Sequence, residues 1–189
     1  MLETIKSVLK QAAQARHSGE SAEAERLYKE AAAEAKAKDD LTRAEALMGV
    51  AQTRRDQDDL IFAAINYAEA ITILRGAGAT RELAYALRHA ADVRSELKEY
   101  AVAGSHIEEA IRLYRALLLE DDREATLDLA NALRISALNE EREALASWSE
   151  ACALYDELGI SAGIQECNEH LDRLKHHNEG SKHLQEPAA

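Results

Sequence analysis

The sequence predicts an all-α protein built as a stack of helical hairpins, and three observations predict it. Composition is the first: alanine, leucine, glutamate and arginine dominate, Pro187 is the only proline, and aromatic residues are 4% of the chain, a bias that suits helices and not sheets. The second is a Glu-Ala step that recurs at Glu30-Ala31, Glu69-Ala70, Glu109-Ala110 and Glu150-Ala151. The intervals between these steps are nearly constant, too long for a heptad and right for a two-helix unit. The third is that apolar residues around each step return three and four positions apart, as one face of a helix requires.

The first unit, residues 2–38, carries Val8, Ala12, Ala24, Tyr28 and Ala31 on its apolar face. Its helices meet at "HSGES", where Gly19 permits the turn and Ser21 can cap the next helix. In the second, residues 41–78, Ala44, Leu47, Val50 and Ala51 mark a first helix, and Leu60, Ala63, Tyr67, Ala70 and Ile71 a second. The third, residues 81–119, repeats both sets at one common shift, as Ala84, Leu87, Ala90 and Ala91, then Tyr100, Ala103, Ile107, Ala110 and Ile111. The segments "KDDL", "GAGAT" and "LEDDRE" separate the units, and Thr42 with Glu45 reads as a capping box.

The fourth unit, residues 124–159, is out of step. Ala130, Leu133 and Ala137 match the earlier first helices at a shift of 46, whereas Ala144, Trp148 and Ala151 match the second helices at 41. A deletion around "ALNEER" reconciles them and predicts short helices; the rival register puts Asp128 and Asn131 at apolar positions. After Gly159, the spacing of Ile164, Cys167, Leu171 and Leu174 predicts a capping helix over 161–177, as an open-ended stack needs. Residues 1–177 read as a single repeat domain, and 178–189, without periodicity, as a flexible tail.

These residues resemble the tetratricopeptide repeat (TPR) proteins from about residue 5 to 175. The resemblance rests on the small residue of each first helix (Ala12, Ala51, Ala91, Ala137) and on alanines seven apart in each second helix: Ala24 and Ala31, Ala63 and Ala70, Ala103 and Ala110, Ala144 and Ala151. Units of this length without a terminal proline are similar to the long variety found in kinesin light chains and many bacterial proteins. "RELAYALRHAAD" and "LANALRISAL" look most like the bacterial repeats. The resemblance implies a right-handed α-α superhelix whose first helices line a concave surface that binds other proteins. Physics points to the same packing, since an alanine at a helix crossing lets the backbones approach to about 8 Å.

Counting from the small residues, the resemblance places a row of side chains in that groove. Three before come Leu9, Met48, Arg88 and Arg134; six before, Lys6, Glu45, Tyr85 and Asn131; one after, Ala13, Gln52, Asp92 and Leu138. Met48, Gln52, Tyr85, Arg88, Asp92, Asn131 and Arg134 are therefore the candidate partner-binding residues, with Arg88 and Arg134 able to grip carboxylates or carbonyls of an extended peptide. A competing reading has Arg88 pairing with Asp92 one turn away. The groove, counted with Arg16, Arg55, Asp56 and Glu96, is near neutral, so the acidic excess belongs on second helices and loops. A chaperone-type carboxylate clamp lacks its paired asparagines and lysines.

Other chemistry finds little support. With 35 acidic and 23 basic residues the formal charge is −12, which opposes nucleic acid and anionic membranes. The start "MLETIKSVLKQAAQ" lacks the pattern of a signal peptide and no run of about 18 apolar residues occurs, so a cytoplasmic location is expected. Cys152 and Cys167 fall at apolar positions and read as core residues. His170, His176, His177 and His183 lack ligand spacing and read as a solvated tail, so no metal is expected. His89 with Asp92 and Ser105 with His106 sit on regular helices without oxyanion donors, so no catalytic residue is assigned. Gly76 and Gly78 lack a phosphate-loop pattern, and Tyr28, Tyr67, Tyr100 and Trp148 read as packing groups. No cofactor is expected. The sequence thus predicts a non-enzymatic adaptor or scaffold, monomeric or weakly dimeric, that binds a peptide or helix of another protein. The alternative is a regulatory sensor whose superhelix changes curvature on binding a small signalling peptide.

Overall fold

A computed structural model of the chain describes residues 2–35, 39–119, 124–139 and 144–182, and side chains within 4–35, 39–119, 124–138 and 147–174. The described residues form helices α1 (Leu2–His17), α2 (Ser21–Ala35), α3 (Asp40–Asp56), α4 (Leu60–Ala77), α5 (Thr80–Glu96), α6 (Tyr100–Leu119), α7 (Ala125–Asn139), α8 (Ala144–Glu157) and α9 (Ser161–Lys182). Helices α1 and α2, α3 and α4, and α7 and α8 pair as hairpins, while α2 packs on α3, α4 on α5 and α8 on α9. The fourth hairpin is short, 15 and 14 residues against 17 and 18 in the second. Ala130, Leu133 and Ala137 are buried there, and Asp128 and Asn131 are less so. By its internal packing the chain divides into two compact units, residues 1–113 and 114–189. Helix α9 runs past the expected boundary at 177, to Lys182. The turn within "ALNEER", most of "LEDDRE" and residues 183–189 lie outside the described residues.

The alanine ladder is the core. Ala12, Ala24, Ala31, Ala51, Ala63, Ala70, Ala91, Ala103, Ala110 and Ala151 have no exposed surface, as close helix crossings demand. Larger groups fill the space between crossings: Ile5, Val50, Tyr67, Leu74, Leu87, Val93 and Ile107 in the first unit, Tyr114, Trp148 and Cys167 in the second. Ring joints link α2 to α3, α4 to α5 and α8 to α9. The Tyr28 ring lies so close to Gly49 that a Cβ there would stand 2.2 Å from a ring carbon. Tyr67 stacks parallel to His89 at 6.2 Å, and Trp148 parallel to His170 at 4.2 Å.

Several local expectations change. The cap of α3 is Asp39, whose carboxylate accepts from the Leu41 and Thr42 backbone amides and the Thr42 hydroxyl. Thr42 therefore lies inside the helix, and its pairing with Glu45 is no capping box. Tyr100 is 56% exposed, because it is the first residue of α6 and projects at the end of the hairpin. His170 is not a solvated tail residue but the stacking partner of Trp148. His176 and His177 lie on α9 with side chains outside the described set. Both cysteines are free: Cys167 is buried, its thiol pushed up to about 11 chiefly by burial, and Cys152 is half-buried beside Asn168. Helix α4 is long and apolar enough to cross a membrane by length and composition; here it carries Asn66, Glu69 and Arg75 and packs on α3 and α5.

Candidate protein-binding groove

In the first unit the candidate groove residues come from α1, α3 and α5. An open hollow of about 380 Å³ is lined by Lys6, Leu9, Lys10 and Ala13 of α1 and Glu45 of α3. All but Lys10 occupy the counted positions relative to the small residue. Along the row, the Gln52 side-chain amide donates to the Tyr85 hydroxyl at 2.9 Å, tying α3 to α5. Tyr85 also meets the His89 ring at 4.4 Å, and the Arg88 guanidinium sits 5.3 Å from the Tyr85 ring centre, a distance that supports a cation–π contact. Met48 is 8% exposed and belongs more to the packed layer than to the open row.

Charge along these helices is organised across hairpins. Arg16 of α1 pairs with Asp56 of α3 at 2.9 Å. One register step on, Arg55 of α3 pairs with Asp92 of α5 at 2.6 Å and with Glu96. Asp92, which the sequence offered as a partner of Arg88, is thus engaged by Arg55 from the neighbouring hairpin. Two of the recurrent glutamates do the same on second helices, whereas Glu30 pairs with Arg26 of its own helix and Glu69 with Arg43 of its own hairpin. Arg75 of α4 reaches Glu109 of α6 at 2.8 Å, and in the second unit Arg115 of α6 reaches Glu150 of α8 at 2.5 Å. Arg112, one turn from Glu109 on the same helix, lies farther off at 3.9 Å. These pairs are partly exposed, so each contributes about 1 kcal/mol or less; their consequence is register rather than bulk stability.

Burial and the Arg88, Arg55 and Arg16 charges, in that order, hold the His89 imidazole down at about 3, so it is neutral at physiological pH. Tyr67, beside it, has its phenol pushed up by burial. Sequence reasoning singled out His89 only as a possible catalytic partner of Asp92 and did not find its place beneath the Tyr67 ring. The signal was available: His89 and Tyr67 stand one repeat on from Gly49 and Tyr28, the other ring joint of this unit.

In the second unit, Asn131 accepts a hydrogen bond from the Tyr155 hydroxyl at 2.8 Å, and Arg134 of α7 pairs with Glu166 of α9 at 3.2 Å. Both are half-buried and tied to the elements that follow in the stack. Arg88 and Arg134 therefore belong to different units, and each is described within its own. Among the described residues no group of three or more His, Cys, Asp or Glu is placed to hold a metal ion.

No family profile matches the chain, and no curated protein matches it. Solved structures do. BtubC (BKLC) from P. vanneervenii aligns over 98% of this chain and 83% of its own with a TM-score of 0.59 at 15% identity. A Podosopora anserina protein assigned as a kinesin light chain with nearly identical TPR-like repeats aligns over 91% of this chain and 95% of its own, TM-score 0.57, 14% identity; a single-substitution variant of that protein aligns over 93% and 96% with the same score and identity. At such identities the likeness establishes the fold: an all-α solenoid of TPR-like helical hairpins.

Proposed function

We propose, with the TPR-like repeat fold as premise, that the chain is a non-enzymatic scaffold or adaptor that docks a peptide segment or helix of a partner protein along its first helices. The observation that carries the reading is the hollow bounded by Lys6, Leu9, Lys10, Ala13 and Glu45, at the counted groove positions and followed on α3 and α5 by half-buried Gln52, Tyr85, Arg88 and Asp92. Repeat folds of this kind generally present such extended surfaces to other proteins. An apolar floor at Leu9 and Ala13 offers burial, and the polar row from Gln52 to Asp92 offers direction and hydrogen bonds. Arg88, its guanidinium braced on the Tyr85 ring, is the chief contact residue of the first unit, and Arg134 with Asn131 those of the second. The chain works in the cytoplasm on this reading, and its acidic surface discourages nucleic acid and anionic lipid as guests.

Affinity capture from native cell extract tests this. Arg88→Glu is expected to lower capture of the principal partner at least about tenfold, equivalent to about 1.4 kcal/mol, and Arg134→Glu to deepen the loss. Helical circular dichroism and melting temperature should stay near wild type. Arg112→Glu, at an exposed second-helix position, should leave capture unchanged; an equal loss there would sink the groove assignment.

A further inference from the structure

Helix α4 is apolar on two faces. The inner one, Ala63, Ala64, Tyr67, Ala70, Ile71 and Leu74, is buried. The outer one carries Ile61, Ile65, Ala68 and Thr72, all exposed and spaced alternately four and three residues apart, which is the spacing of a coiled-coil seam. Ile61 keeps 64% of its surface exposed, and Ile65 and the adjoining Phe62 keep 54% each. These exposed parts amount to on the order of 300–400 Å², the size at which an apolar patch on a monomer is often functional. The repeat itself does not demand them. At the positions of Ile65 and Ala68, α2 carries Arg26 and Lys29, and α6 carries Ser105 and Glu108.

The outer face is graded along its length, and the grading selects the occupant. Bulky Ile61 and Ile65 lie toward the start of α4, and smaller Ala68 and Thr72 toward its end. Asp58, in the turn before the helix, presents an exposed carboxylate that enters no ion pair among the described residues. Arg75, one turn beyond Thr72, is 52% exposed while it holds Glu109. A second α4 laid antiparallel on the first sets Ile61 opposite Thr72, Ile65 opposite Ala68 and Asp58 beside Arg75, each contact made twice as a two-fold axis requires. Small groups against bulky ones let the two helices close. A parallel pairing sets Asp58 against Asp58 and isoleucine against isoleucine. The other charges at this end and on this helix, Asp59 and Glu69, are already taken by Arg54 and Arg43, so the face offers a charged foreign segment little to grip.

We propose that the outer face of α4 is a self-association surface, on which a second copy of this chain docks its own α4 antiparallel. Two such faces bury less than the roughly 1,600 Å² of a standard specific interface, so the dimer is weak and depends on concentration. The surface is independent of the candidate groove on α1, α3 and α5 and does not need the groove to bind a partner.

Sedimentation equilibrium of the full chain from about 1 µM to about 1 mM, the range of weak association, tests this. Wild type is expected to rise from 20.8 kDa toward twice that mass. Ile65→Glu, at an exposed position, should stay monomeric over the same range, with circular dichroism and melting temperature at low concentration matching wild type. Lys10→Glu, at the hollow on α1, should dimerise as wild type does. Asp58→Lys fits the turn, since Lys98 holds the same φ of 62° one hairpin on, and should weaken association about tenfold because the contact occurs twice. Adding Arg75→Glu should recover most of that loss. A wild type that stays at 20.8 kDa throughout overturns the proposal and leaves the face to a foreign helix. An Ile65→Glu that still dimerises overturns it too, as does a loss in Lys10→Glu, which moves the contact to the groove, or a charge reversal that recovers nothing.

Discussion

Two joints of the first unit occupy the same register and are built from opposite materials. At Tyr28 and Gly49 a ring lies against bare backbone, and at Tyr67 and His89 a ring lies against a flat imidazole. The repeat fixes where the aromatic ring goes; the residue beneath it decides whether the joint is purely steric or polar as well. The steric joint should break hardest. Gly49→Ala gains about 1 kcal/mol of helix propensity but drives a Cβ to 2.2 Å from the Tyr28 ring. Overpacking of this kind costs up to about 3 kcal/mol, so urea denaturation should show a net loss of about 2 kcal/mol. The Tyr28→Leu, Gly49→Ala pair should recover much of the loss. A Gly49→Ala variant as stable as wild type would mean that the ring does not rest on the helix backbone.

The polar joint should respond to pH where the steric one cannot. The folded His89 titrates down at about 3, held neutral by burial and by Arg88, Arg55 and Arg16, whereas an unfolded histidine titrates near 6.5. Between those values the unfolded chain binds the extra proton, so stability falls as pH drops below about 6.5 and this group contributes no slope above it. The limit is about 1.4 kcal/mol per pH unit for one proton. His89→Gln should flatten the dependence between pH 6 and 4.5 relative to wild type, measured by denaturation at each pH. Parallel profiles for the two proteins would show that the imidazole is not held neutral in the folded state.

The contrast between these joints also shows what a sequence of this kind discloses. Alanine spacing is legible because a helix crossing tolerates little else: every laddered alanine whose side chain is described is fully enclosed apart from Ala137, which keeps 5% exposure. The short fourth hairpin was legible from its conflict of shifts. Cross-hairpin chemistry was not. Arg75 finds Glu109 and Arg55 finds Glu96 on neighbouring hairpins, while local spacing offers nearer partners such as Arg112 with nothing to rank them. Asp39 was hidden for a related reason: Thr42 and Glu45 satisfy a cap motif in sequence, but the helix begins earlier, at Asp40. Of the candidate groove, the hollow at Leu9 and Ala13 followed from counting, whereas the burial of Met48 depends on how closely α3 is packed, which counting ignores.

The same register logic extends to the turns within the hairpins, where the expected effect is smallest. Gly19, Asp58 and Lys98 stand at equivalent positions of successive hairpins and all take positive φ, at 79°, 62° and 62°. Each turn closes identically: the amides of Glu20, Asp59 and Glu99 reach back to the carbonyls of Ala15, Arg54 and Arg94. Only the first carries the residue that this conformation favours. A lysine in the left-handed region is strained by about 1–2 kcal/mol, while glycine there forfeits part of that gain through its freer unfolded chain. Aspartate tolerates the region better than lysine because its short polar side chain bonds locally. Lys98→Gly should therefore stabilise by about 0.5–1 kcal/mol and Asp58→Gly by less, with Gly19→Ala destabilising. Thermal melts of the three variants check the ordering; a Lys98→Gly that melts below wild type would show that Lys98 contributes more through its contacts than its backbone strain costs.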